Sequence, residues 1–195
     1  GERILRERAD LLFHFASSTR SYVREVLRPA LNEITDKFVL EGKSSTFVAH
    51  GIFQRFNKAT AGYLYRQPTL NPMNPANKPS AFESALIQRF RDEKGLEELT
   101  GLEMIDGQEV YYMARPIRVS TPCLTCHGSA ATAPREIINR YGLYGGLNWP
   151  VHEITSSPGV IVPAPTIRRP QPLPPNAVLI TFAGLFPAQL LAFHP

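Results

Sequence analysis

Apolar residues recur at three- and four-residue steps through residues 2–28, where Ile4, Leu11, Leu12, Phe15, Tyr22, Val23, Val26 and Leu27 are set among Arg, Glu, Asp and Ser. That period predicts one long amphipathic helix. Pro29 ends or kinks it, because proline pushes the preceding residue out of helical φ/ψ. A second helical stretch is expected over 29–40. Residues 44–58 predict another helix, with Ser44 or Ser45 as N-cap and an apolar side of Phe47, Val48, Ile52, Phe53 and Phe56. The period then changes. Residues 62–66 (Gly-Tyr-Leu-Tyr-Arg) suit a strand, and three prolines punctuate the loop 71–79. Ser80 with Glu83 reads as a capping box for a helix to about Lys94 through Phe82, Leu86, Ile87 and Phe90. Residues 99–104 and 108–119 flank Asp106-Gly107 and predict an antiparallel hairpin. Pro134 opens a short helix through Ile137 and Ile138, closed by Gly142, Gly145 and Gly146. Residues 146–153 form a loop holding Trp149 and His152, and 159–163 suit a last strand.

Helices and antiparallel strands together predict an α+β chain. Its expected divisions are a helical region 1–40, a domain 41–163, a proline-rich linker 164–176 and an apolar tail 177–195. Over 177–193 the tail is interrupted only by Thr181, Pro187 and Gln189, which is at the short limit for crossing a bilayer. It reads as an anchor to a membrane or to a partner protein.

At 195 residues the chain has room for one domain with an appendage and a sizeable core. Hydrophobic residues make up 43% and charged residues 19%, so most of it should be globular. The net charge of +4 is scattered, with no basic stripe interleaved with aromatics, so nucleic acid is not an expected partner. No Ser/His/Asp arrangement, paired acid/base carboxylates or phosphate-cradling loop can be made out, and the chain reads as a non-enzyme. No signal peptide stands at Gly1, as expected of a mature or trimmed chain.

One stretch carries chemistry of its own. Pro122-Cys123-Leu124-Thr125-Cys126-His127-Gly128 contains both cysteines, spaced C-x-x-C and followed at once by histidine. That is the attachment signature of a c-type haem. Each thiol adds across one vinyl group, and His127 then falls under the iron as proximal ligand. Three other readings use the same residues. A redox dithiol wants a βαβ setting, which the pattern lacks. A zinc site wants further ligands, and the remaining histidines are scattered. A disulfide between cysteines so close in sequence would be strained. One covalent haem c is therefore the expected cofactor, and its two propionates would offset part of the positive charge. Haem attachment of this kind takes place outside the cytoplasm, so a periplasmic or extracellular, membrane-associated location is expected.

Asn74-Pro75-Ala76-Asn77-Lys78-Pro79-Ser80-Ala81-Phe82-Glu83, Tyr111-Tyr112-Met113-Ala114-Arg115-Pro116, Cys123 to Gly128, Ala133-Pro134 and Tyr141-Gly142 extend the picture. With these elements the chain resembles a family of extracytoplasmic c-type haem domains, long catalogued as a domain of unknown function. The likeness covers roughly residues 1–163. The family includes sensor modules of membrane-bound kinases and cyclase-type signalling proteins, and a cyanobacterial monohaem cytochrome of PAS-like fold. The resemblance implies a PAS-like antiparallel sheet flanked by helices, a haem held covalently against it, and a long N-terminal helix. The cyanobacterial member looks to use a cysteine as second axial ligand, and no third cysteine is present here. His50 is the expected substitute, with Met113, Met73 or an open position as alternatives. No kinase or cyclase domain follows, so signalling is not implied by this chain by itself.

The remaining candidates follow from what a haem requires. Arg66, Arg115 and Arg118 are candidate propionate partners through bidentate hydrogen bonds, or else ordinary strand-edge charges. Tyr111, Tyr112 and Trp149 are candidates to wall the porphyrin, or else core aromatics. His14 reads as a surface or packing residue, and Asn74 and Asn77 as loop hydrogen bonders. A closed iron suits redox sensing or one-electron transfer with a redox or signalling partner; an open one suits binding of NO or CO. The N-terminal helix offers a surface for homo-oligomerisation.

Overall fold

The Asp106-Gly107 turn sets the sheet. Both residues have positive φ (50° and 78°), as a tight hairpin turn of this handedness requires. In the computed structural model, which describes residues 1–143 and 145–164, the turn joins β2 (Leu99–Ile105) to β3 (Gln108–Ala114). Leu99 lies opposite Ala114 and Ile105 opposite Gln108. Strand β6 (Gly159–Pro163) pairs with the free edge of β3, and β1 (Leu64–Arg66) pairs with β6, giving an antiparallel sheet of order β1-β6-β3-β2. The second expected strand is shorter than 108–119. Pro116 has no N–H to give to a ladder, and the chain resumes as β4 (Ile117–Arg118), which pairs with β5 (Ile154–Ser156) in a separate two-stranded sheet.

Alternation along β3 decides what each face packs. Tyr111 and Met113 join Val160, Val162 and Tyr65 beneath helix α1 (Glu2–Tyr22) and helix α4 (Ser45–Ala59). Ala114 and Tyr112 face α5 (Ala81–Asp92) with Leu86, Ile87 and Phe90. The sheet is thus covered on both sides, and fully buried Phe90, Tyr111 and Met113 mark the two cores. The capping box of α5 forms as read: Ser80 accepts from the Glu83 amide at 3.1 Å, and Glu83 accepts from the Ser80 amide at 2.8 Å. Ser44 is the N-cap of α4. The architecture is α+β, with an antiparallel sheet, flanking helices and a long N-terminal helix, as the resemblance implied.

Three expectations change. The buried stripe of α1 is Leu5, Ala9, Leu12, Phe13 and Ala16, whereas Ile4, Leu11, Phe15, Tyr22 and Val26 are exposed. Of the residues expected from the period, Leu12 and Val23 are buried; close approach to the sheet is made by Ala9 and Ala16, which periodicity counted on large side chains passes over. Pro29 neither ends nor breaks the helix. A π-helical turn over Val23–Leu27 precedes it and leads directly into α2 (Arg28–Ile34). The widened turn relieves the clash that proline makes with the carbonyl four residues back. The helical stretch expected over 29–40 therefore stops at Ile34, and Leu40 opens a separate short helix, α3 (Leu40–Lys43).

The described residues, the helical region 1–40 included, form one compact unit. The expected linker and apolar tail lie, beyond Ala164, outside the described residues. Among the described residues no helix is long and apolar enough to cross a membrane.

Candidate functional site

The motif begins where β4 ends. Ser120 opens a 3-10 turn (Thr121–Cys123) that passes into a single helical turn, α6 (Leu124–His127). The Ser120 amide donates to Cys123 Sγ at 3.4 Å and the Ser120 hydroxyl lies 3.3 Å from the same sulfur. Cys123 and His127, four apart on this helical run, share a face. Gly128 stops the turn, and a Cβ there would meet the Leu124 carbonyl oxygen at 2.5 Å.

The loop after α7 (Arg135–Tyr141) is strapped to the motif through backbone bonds. Asn148 N–H donates to the Gly128 carbonyl at 2.8 Å and Trp149 N–H to the His127 carbonyl at 3.0 Å. His152 and Glu153 exchange backbone bonds with Val119, extending the β4–β5 pairing. This places Trp149 flat on His127, with ring centroids 3.7 Å apart and planes 3° from parallel. On the other side, His127 Nδ1 lies 2.6 Å from the Gly146 carbonyl oxygen. A carbonyl only accepts, so Nδ1 carries the proton and Nε2 keeps its lone pair. Burial lowers the His127 pKa, with the bond to Gly146 working against that shift. Burial keeps the imidazole neutral and the Gly146 bond orients it, which is the ligating form.

Cys123, Cys126, His127 and Trp149 line a cavity of about 890 Å³ together with residues of α1, α2, α3, α4 and α7 and of β4 and β5. That volume is toward the upper end for small-molecule and cofactor sites. Burial pushes the Cys126 thiol pKa up, with Arg28 pulling it down. Helix α4 divides its faces: Ala49 and Phe53 go to the core, while Phe47, His50, Gly51 and Gln54 face the cavity. His50 is held neutral chiefly by burial, and secondarily by the charge of Arg66. Met73 also lines the cavity; Met113 is fully buried in the core beneath α1.

The expected arginines separate. Arg118 lines the cavity. Arg66 and Arg115 do not, and each is already committed: Arg66 donates to Glu83 at 2.6 Å and to the Lys78 carbonyl at 3.1 Å. Arg115 donates to Glu98 at 2.8 Å and Asp10 at 3.3 Å, and lies over the Phe13 ring. Tyr111 is core, and Tyr112 sits on the opposite face of the sheet in edge contact with Phe82. Sequence reading missed Arg20, Arg24 and Arg28, all on the cavity wall. Their spacing of four along one helix was the available signal.

Arg115 thus has a structural role that acid should expose. Burial would raise the Glu98 pKa, but hydrogen bonds and charge from Arg115 and Arg6 outweigh it and hold the carboxylate below its ordinary value. A group depressed in the folded state contributes stability that is present above its unfolded pKa, about 4.3. That contribution is lost as pH falls through the lower folded value. Glu98→Gln should therefore be less stable at neutral pH and lose stability less steeply in acid, as read by denaturant unfolding at a series of pH values below about 5.

The residues present fit a haem. Two free thiols and an imidazole lone pair stand on one wall, and Phe38, Leu40, Phe47 and Ile137 offer apolar surface. Two cavity-lining residues carry buried donors with no partner among the described residues, Trp149 Nε1 and Arg20 Nε. Such donors call for a ligand bearing acceptors. Among the described residues no group of three or more His, Cys, Asp or Glu gathers as a metal-binding cluster. Fold and site together define an α+β domain that presents a C-x-x-C-H turn to a large cavity between sheet and helices. The chain belongs to the Tll0287-like family, whose model matches residues 2–163. Its fold is shared with the crystal structure of the cyanobacterial haem-protein Tll0287, at a TM-score of 0.59 and 19% identity, covering 80% of this chain and 92% of that one. No curated protein matches.

Proposed function

We propose that this chain is a monohaem c-type cytochrome domain that works outside the cytoplasm, in redox sensing or one-electron transfer, with no catalytic role. One observation carries the reading: the imidazole that follows the two thiols is held neutral, stacked and singly hydrogen-bonded at Nδ1, with Nε2 left for a metal, on the wall of a cofactor-sized cavity. A haem bound there supplies a reversible one-electron couple at its iron. Cys123 and Cys126 would hold it by thioether bonds, His127 would orient it from one side, and Trp149 would restrict the imidazole's rotation. Membership of a family that includes a haem protein supports this cofactor. The extracytoplasmic setting follows from the attachment chemistry.

His50 would be the second residue to hold the iron, since burial keeps it neutral and it lines the same cavity. The reduced holoprotein should then leave its absorption spectrum unchanged on exposure to carbon monoxide. His50→Ala should bind carbon monoxide with a shifted Soret band. A shift in the unsubstituted protein would favour the gas-binding reading instead. An unshifted spectrum in His50→Ala would move the assignment to Met73.

A further inference from the structure

Five arginines line the cavity, and four of them have partners elsewhere. Arg24 is 3.9 Å from Glu25, Arg118 is 3.5 Å from Glu97 and Arg140 is 3.4 Å from Glu41. Arg28 donates to the Lys43 carbonyl at 2.7 Å. Arg20, in the last turn of α1, makes no ion pair among the described residues, and its Nε is buried with no acceptor. Beside it, the Tyr65 hydroxyl is also buried without a partner. Burial raises that phenol's pKa, and the charge of Arg20 and hydrogen bonding by it pull the value back; the two groups are neighbours, yet neither Arg20 Nε nor the phenol oxygen has a partner in hydrogen-bonding geometry. A buried guanidinium nitrogen with nothing to bond to is costly unless a ligand satisfies it.

Its position along the helix says which part of a ligand that would be. Arg28 is close enough to Cys126 for its charge to act on the thiol. Arg20 is eight residues back, about 12 Å along the axis at helical rise, with the π-helical turn Val23–Leu27 between them. In haem the vinyl groups that thiols capture and the two propionates occupy opposite edges of the macrocycle. A ring tethered at Cys126, near Arg28, would carry its carboxylates toward the far end of this arginine row. Resting on the haem reading above, we propose that Arg20 is the propionate-binding residue of this domain, so that the long N-terminal helix forms part of the cofactor site. The strand residues Arg66 and Arg115 are excluded from that role by their carboxylate partners. The other charged or titratable groups on the wall are Arg24, Arg28, His50, Arg118, His127, Arg140, Tyr141 and the two thiols. Of these the four arginines would add to the positive field without offering an unsatisfied buried donor.

The test is potentiometry of the full-length holoprotein as Arg20→Gln and Arg20→Lys, with haem content first fixed by mass of the denatured chain. Loss of a positive charge beside the propionates stabilises the ferric state. Arg20→Gln should therefore lower the midpoint potential at neutral pH. It should also move the pH inflection of that potential upward by about 1–3 pH units, the shift a carboxyl shows on losing an arginine partner. Arg20→Lys keeps the charge but not the fork, and should retain most of the potential and part of the inflection. Haem attached in full with potential and inflection unchanged in both variants would overturn the assignment. A parent chain whose mass shows no macrocycle would overturn it together with the haem reading, and the mass tells the two failures apart.

Discussion

With Cys123 and Cys126 both replaced by serine, the protein is expected to lose covalent haem altogether: the denatured chain should have its bare polypeptide mass, and acid solvent should extract all the cofactor. The reason lies in bond type rather than in affinity. Serine keeps the size and much of the polarity of cysteine, and both thiols are only half-buried, so the turn that carries them should fold as before. Ser120 keeps its capping position and Gly128 still ends the helical turn. A hydroxyl, however, does not form the thioether that a thiolate makes with a vinyl group. His127, its Gly146 hydrogen bond and the cavity walls would remain, so the double variant should still take up haem reversibly. Each single serine variant should keep one thioether and the full mass increment. Mass spectrometry of parent, single and double variants after denaturation reads all of these states. A macrocycle still attached in the double variant would show that another residue is the attachment point.

What the sequence shows in advance depends on the range over which each feature is decided. The capping box of Ser80 and Glu83 and the Asp106-Gly107 turn are settled within four residues, so they are legible from the letters. The C-x-x-C-H spacing is equally local. The buried face of α1 is not, because Ala9 and Ala16 are chosen for closeness to the sheet, and hydrophobic periodicity underweights alanine. Pro29 misleads for a similar reason: whether proline breaks a helix depends on whether the preceding turn can widen, and here it does. The candidate arginines divide on long-range pairing. Nothing near Arg115 in sequence announces that Asp10 and Glu98 will meet it, and nothing near Arg66 singles out Glu83. The acceptor for His127 is a backbone carbonyl nineteen residues away, which has no side-chain letter at all.

That carbonyl belongs to Gly146, and Gly146→Ala is the substitution expected to damage fold and site together. Gly146 has φ of 71°, a region that disfavours any residue with a Cβ by about 1–2 kcal/mol. A Cβ there would also stand 2.6 Å from the Met73 amide nitrogen and 2.8 Å from its Cα. These are backbone atoms of the proline-fixed loop, so they do not move aside as a flexible side chain would. Overpacking of this kind adds roughly 1–3 kcal/mol, for a total of about 2–5 kcal/mol. Gly107 separates the two contributions, because it has φ of 78° with open space around its Cβ position. Gly107→Ala should bear the conformational part alone, about 1–2 kcal/mol, and leave the haem spectrum untouched. In Gly146→Ala the shifted loop would displace the acceptor that fixes His127 at 2.6 Å. Loss of such an orienting bond costs about 10–100-fold in metal affinity in comparable sites, so a perturbed ferric spectrum should accompany the lower stability. Denaturant unfolding and absorption spectra of both variants decide the matter. Equal destabilisation of the two, with both spectra unchanged, would mean that the Met73 contact relaxes freely and that Gly146 does not hold His127 in place.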